Sequence, residues 1–127
     1  MKVVIADDHP LMAEGIRTNF EDQESVEIVF MAKNGKEVLT YVASHEVDLV
    51  LLDIEMPEMN GIECANSLRK NFPDIAIIIL SMYEEASLAE SFIEFGVNGY
   101  LLKTSTKEVL LEAIKCVQNG ETYFCEE

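Results

Sequence analysis

Positive charge is what this 127-residue chain has least of: 9 Lys and Arg stand against 24 Asp and Glu, for a formal net charge of −15. Neutralising nucleic-acid phosphates takes clustered Lys and Arg, so this segment does not hold DNA or RNA by itself. An anionic membrane surface is excluded on the same ground. Cysteine is scarce too. Cys64, Cys116 and Cys125 are too few and too widely spaced for a disulfide framework or a zinc knuckle, and they read as reduced thiols. Long apolar runs are missing. The run Val3–Ala6 after Met1-Lys2 stops at Asp7, too short for the core of a secretory signal or for a bilayer span, so a cytoplasmic protein is expected. Against these absences stand a hydrophobic content of 49% and a mean hydropathy of +0.11, too apolar for so acidic a chain to stay unfolded. The length predicts one domain that buries a core without staples.

Short apolar runs alternate with longer segments of helical period, which predicts βαβ units in a parallel sheet. The runs are Val3–Ala6, Val26–Ala32, Asp48–Leu52, Ile75–Leu80 and Gly99–Leu102. Continuous runs such as LVLL and IAIIIL suit strands covered on both faces, whereas Val26–Ala32 includes Glu27 and reads as an edge strand. Between them, apolar residues recur three and four apart: Leu11, Met12, Ile16 and Phe20; Val38, Leu39 and Val42; Ile62, Ala65 and Leu68; Leu88, Phe92 and Phe95; Val109, Leu110, Ala113, Ile114 and Val117. Pro10, Asn34-Gly35 and Asn60-Gly61 open helices; Asn71-Phe72-Pro73, Gly96 and Asn119-Gly120 end them. Five strands and five helices in alternation, with no internal repeat, predict an open, doubly wound sheet. In such sheets the site lies beyond the carboxyl ends of the strands.

Asp7-Asp8 follow the first run, Asp53 the third, Ser81 the fourth and Lys103 the fifth. If the first and third strands are neighbours, the three acids converge, and two unit charges about 4 Å apart repel by roughly 4 kcal/mol at an effective dielectric near 20. Such a cluster raises a pKa or takes up a cation, and sparse hard oxygen donors suit Mg²⁺. A carboxylate can accept a phosphoryl group, Mg²⁺ and a Lys can neutralise its oxygens, and a hydroxyl can hydrogen-bond one of them. The set points to phosphoryl transfer.

ADDHPLMAEGI, LLDIEMPEMNGIE and NGYLLK carry a resemblance. Over residues 1–118 the chain resembles the receiver domain of bacterial two-component response regulators, most of all the LuxR/NarL type. The resemblance implies a flavodoxin-like (βα)5 sheet of strand order 2-1-3-4-5. It implies that Asp53 takes a phosphoryl group from the phosphohistidine of a sensor histidine kinase. Asp8 and Asp53 would bind Mg²⁺ with the backbone carbonyl of Glu55, and Asp7 would act through a bound water. Lys103 would hold the acyl phosphate, Ser81 would swing toward it, and Tyr100 would rotate inward in response. Read without the resemblance, Tyr100 is a half-buried sheet aromatic. Glu55 and Tyr83 would flank the path of the hydrolytic water. Such a domain catalyses its own phosphorylation and dephosphorylation without being a turnover enzyme.

Other positions read more plainly. Met56, Pro57 and Met59 shape a loop, His9 reads as a turn residue before Pro10 in preference to a ligand or proton shuttle beside the acid pair, and His45 carries no signal. A flavin- or nucleotide-binding enzyme on the same fold would want a Gly- or hydroxyl-rich loop after the first strand, where this chain has Asp-Asp. A phosphorylation-independent interaction module is the alternative, although neither the acids nor the Lys is missing. Homodimerisation on phosphorylation is expected. Residues 119–127 read as the start of a linker, with a DNA-binding helix-turn-helix module for transcriptional output lying beyond this segment.

Overall fold

The computed structural model describes residues 1–82 and 96–124. Its elements are β1 (Lys2–Ala6), α1 (Pro10–Thr18), β2 (Glu27–Ala32), α2 (Gly35–Val42), β3 (Leu49–Asp53), α3 (Gly61–Asn71), β4 (Ala76–Ser81), β5 (Gly99–Leu102), α4 (Lys107–Gln118) and β6 (Tyr123–Phe124). The expected helix bearing Leu88, Phe92 and Phe95 lies outside the described residues, as do Tyr83 and Cys125.

The strands form one parallel sheet in the order β2-β1-β3-β4-β5-β6. Its first five members have the 2-1-3-4-5 order expected. Alternation along each strand sends side chains to opposite faces. Val4, Ala6, Val50, Leu52, Ile77 and Ile79 pack with residues of α2 and α3 on one face. Val3, Ile5, Leu49, Leu51, Ile78 and Leu80 pack with residues of α1 and α4 on the other. Both faces are therefore dry, which is why β3 is buried along its whole length and its sequence has no polar partner positions before Asp53. β2 is the edge strand anticipated from Glu27, and its register against β1 slips between Val3 and Val4.

Helix starts follow the Asn signals. The Asn34 side chain accepts from the Glu37 N–H, and Asn60 forms a reciprocal capping box with Glu63. Pro10 opens α1, and Gly120, at φ 83°, lets the chain leave α4. The α1 face needs correcting: Leu11 is 90% exposed and belongs to no core, whereas Phe20 is buried but sits beyond the last turn. Cys64 is fully buried, and burial pushes its thiol up to about 12, which leaves it an inert packing group.

The tail holds more structure than its sequence announced. Tyr123 and Phe124 add a sixth parallel strand along Gly99 and Tyr100, anchored by the Tyr123 N–H donating to the Asn98 carbonyl at 3.0 Å. Two residues carry no readable period. What recruits them is the open edge of β5, reached by using α4 as the crossover.

Candidate functional site

Parallel strands deliver their final residues to one edge. Ala6 pairs with Leu52, so Asp7 emerges beside Asp53, and Asp53 pairs in turn with Leu80. Ser81 pairs with Leu102, and the next residue is Lys103, whose backbone N–H donates to the Ser81 carbonyl at 2.7 Å. Asp7, Asp8, Asp53, Ser81 and Lys103 are thus brought to one end of the sheet by register alone.

The Lys103 ammonium bridges two acids. Its Nζ lies 3.0 Å from Asp7 Oδ2 and 2.9 Å from Asp53 Oδ2, with the three side chains 0–4% exposed. The other oxygens face backbone donors: the His9 N–H donates to Asp7 Oδ1 at 2.9 Å, and the Glu55 N–H to Asp53 Oδ1 at 3.3 Å. Burial holds the Asp53 carboxyl above the usual range. The Asp7 charge adds to that rise, and the hydrogen bond from Lys103 opposes it without cancelling it. Lys103 moves up instead. Burial alone would lower it, but hydrogen bonds to Asp53 and Asp7 outweigh that effect. The two directions agree once one cation is seen to serve two anions: the cation gains from both, while each anion has only a share.

Asp8 stands at the rim, its side chain 32% exposed, and His9 reaches across it. The His9 Nδ1 is 3.1 Å from Asp8 Oδ1 and 3.2 Å from Asp7 Oδ1. The turn reading of His9 holds for the backbone, where it precedes Pro10 as the cap of α1 without a side-chain cap bond. Its ring, ranked below the turn role from the sequence, closes the acid cluster from outside. Adjacency to Asp-Asp was the only signal available. One donor atom from each of Asp7, Asp8, His9 and Asp53 falls within 4.8 Å of the others. Beside them opens a cavity of about 520 Å³, walled by Asp8, His9, Glu55, Met56, Pro57 and Asn60. Three carboxylates against one ammonium leave two negative charges uncompensated, and the donors are mostly hard oxygens. That arrangement fits a hard divalent cation.

Ser81 is 3% exposed and Tyr100 2% exposed, so Tyr100 is a core residue rather than the half-buried aromatic its bare sequence suggested. Ile79 pairs with Tyr100 and Ser81 with Leu102, which puts Ser81 and Tyr100 on the same face of neighbouring strands. Glu55 is exposed and presents its backbone to Asp53. The loop after β3 also holds Glu58 at φ 63°, a left-handed conformation costly for a side-chain-bearing residue, with its carboxylate accepting from Asn34 Nδ2 at 2.9 Å. Nothing in the sequence marked that tie.

A family model described as the response regulator receiver domain matches residues 3–115. The nitrate/nitrite response regulator protein NarP of Escherichia coli is 38% identical over 98% of this chain and 58% of its own length. The signal receiver domain of NarL from Mycobacterium tuberculosis is similar in structure, with a TM-score of 0.88 at 31% identity, covering 94% of this chain and 97% of that one. The non-phosphorylated receiver domain of RcsB from Escherichia coli gives 0.93 at 26% identity, covering 99% and 98%. This chain spans little more than half the length of the curated relatives it matches, between 52% and 58% for three of them. The matching part is, in this chain, a doubly wound sheet whose strand ends gather three Asp, a Ser and a Lys. The chain belongs to the response regulator receiver domain family.

Proposed function

We propose that this receiver accepts a phosphoryl group on Asp53 from the phosphohistidine of a sensor histidine kinase, in a Mg²⁺-dependent reaction. The observation that carries the reading is the Lys103 ammonium 2.9 Å from the Asp53 oxygen, in a cluster of acids beside a cavity lined by Asp8, His9 and the loop after β3. An Asp53 oxygen forms the new bond to phosphorus. The phosphorus–nitrogen bond of the donor breaks, and its electron pair stays on the departing imidazole, which takes up a proton.

Asp8, Asp53 and the Glu55 carbonyl would hold the Mg²⁺. Both Asp7 oxygens already have partners in Lys103 and His9, which supports a role for Asp7 through a water. Bound there, the ion neutralises charge on the transferring oxygens. Lys103 sits where it can exchange a carboxylate oxygen for a phosphate oxygen, and the buried Ser81 hydroxyl supplies a further hydrogen bond after a rotation. A phosphoryl group adds about two negative charges to a pocket that shares one Lys between two acids. The domain switches only as far as that charge is accommodated differently in its two states. Ser81 and the neighbouring Tyr100 are the residues through which we route the response. The output is control of transcription through a DNA-binding module, with pairing of two phosphorylated receivers. In support, the curated relatives carry further chain outside the matched part, which covers 52% and 58% of two of them.

Incubation with acetyl phosphate and Mg²⁺, read by intact mass, is expected to give a single phosphoryl adduct that Asp53→Asn abolishes. No adduct in the parent chain would favour the phosphorylation-independent interaction module. A separate expectation concerns the metal alone. An ion that binds only the folded chain adds about 2.7 kcal/mol at 100 times its Kd. Millimolar Mg²⁺ should therefore raise Tm, and Asp8→Asn should remove the rise. A melting curve indifferent to Mg²⁺ but shifted by calcium or zinc would sink this assignment.

A further inference from the structure

We infer that this receiver has a second binding site, on the far side of the β3–α3 loop, that takes the guanidinium of an arginine side chain from a partner protein. Phe30 on β2, Tyr41 on α2 and His45 just after α2 form a near-parallel stack. Ring centroids are 4.4 Å apart at 6° for Phe30 and Tyr41, and 4.0 Å apart at 3° for Tyr41 and His45. His45 is the exposed end, and its Nδ1 lies 3.0 Å from the Tyr41 carbonyl oxygen, which fixes the plane of the ring. The stack forms one wall of a cavity of about 440 Å³ whose charged lining is Glu37, Glu58 and Lys36.

The two carboxylates are set rather than loose. Glu58 is held by Asn34 Nδ2 at 2.9 Å on a backbone at φ 63°, and Glu37 accepts from the Lys33 N–H at 2.9 Å. Each bond uses one oxygen. Among the described residues neither carboxylate forms an ion pair. A flat, weakly hydrated cation suits both features: it can lie on the ring face while its fork of donors meets the carboxylates. An ammonium is drawn to a ring face too, but as a compact, strongly hydrated point charge it neither lies flat on the ring nor presents a fork of donors. Anions are disfavoured by a chain of net charge −15, and a neutral apolar guest would strip water from two carboxylates without pairing them. The site does not depend on phosphoryl transfer and uses none of the residues assigned to it.

The test uses the whole chain at pH 7.5, titrated with acetyl-Gly-Arg-Gly-amide and with its Lys counterpart, and read residue by residue by NMR. The Arg peptide should give saturable shifts centred on Asn34, Tyr41, His45 and Glu58, with a Kd at least fivefold below that of the Lys peptide. Tyr41→Leu should bring the two peptides to within twofold of each other. Glu58→Gly removes the carboxylate at a backbone angle glycine favours, so the fold persists, and it should weaken Arg binding fivefold or more. Shifts that do not saturate, equal affinity for Arg and Lys, or unchanged binding by Glu58→Gly would each overturn the assignment.

Discussion

Replacing Lys103 by methionine is expected to lower the free energy of unfolding at pH 7 by about 3–5 kcal/mol, the usual cost of removing one partner from a buried ion pair. Methionine keeps most of the stem's bulk, so the loss reports charge rather than a cavity. Asp7 and Asp53 would then face each other without the ammonium that now sits within 3.0 Å of both. That gives the loss a signature in pH. Asp53 already lies above its ordinary value of 3.8 in the folded chain, so its contribution to stability falls as pH rises from 3.8 through the raised folded value. Without Lys103 that folded value climbs further and the native state holds its proton over a wider range. Urea midpoints at pH 5 and pH 7 should therefore show a smaller deficit at pH 5, and a deficit of equal size at both would point to packing instead. Lys103 acts at the opposite end. Its pKa is raised above 10.5, so its contribution is complete below 10.5 and is lost as pH rises through the folded value. The parent should lose stability on that alkaline limb, and the methionine variant should not. Adding Asp7→Asn to Lys103→Met should return part of the deficit, since the two residues touch and their effects cannot be independent.

Gly61→Ala should cost about 3 kcal/mol or more, at the upper end of what overpacking does. A Cβ at that position would overlap the Asp53 carbonyl oxygen and lie 2.8 Å from the Ile54 Cα. Those are backbone atoms of the segment that carries Asp53, so no rotamer can relieve the overlap. Backing α3 away would also break the bond from the Gly61 N–H to the Ile54 carbonyl at 2.8 Å. The same substitution at Gly15 has the opposite expected sign. Gly15 is exposed within α1 with nothing within 4 Å of a new Cβ, so alanine there should add about 0.5–1 kcal/mol. Urea titrations of the two variants provide the comparison; small changes of the same sign would refute the close approach of α3 to β3. The acetyl phosphate reaction should also slow in Gly61→Ala, because the overlap falls on the residue that bears the acceptor carboxylate.

Much of this was legible in the sequence because it depends on period and order. Continuous runs such as Leu49–Leu52 give the two-faced sheet, and the residue that ends each run gives the site: Asp7, Asp53, Ser81 and Lys103 converge because parallel strands share a direction. What stayed hidden depends on the third dimension. Leu11 fits the helical period of α1, yet the helix turns it 90% to solvent, since period fixes a face and not where the neighbouring sheet ends. His9 closes the acid cluster with its ring, a contact that follows from a rotamer. The β6 strand is too short to have a pattern. Asn34 and Glu58 are 24 residues apart, and their bond exists only because α2 and the loop after β3 lie on the same side of the sheet.

That meeting of α2 with the loop constrains how the domain can be recombined. Gly35 donates its N–H to the Met59 carbonyl at 3.0 Å, and a Cβ on residue 35 would come within 2.7 Å of the Met59 Cγ. A chimaera that takes residues 1–45 from one receiver and the remainder from another interrupts no helix or strand, so by secondary structure it looks harmless. It nevertheless separates residues 34 and 35 from residues 58 and 59. The productive crossovers are those in which the two halves of this joint are inherited from the same parent.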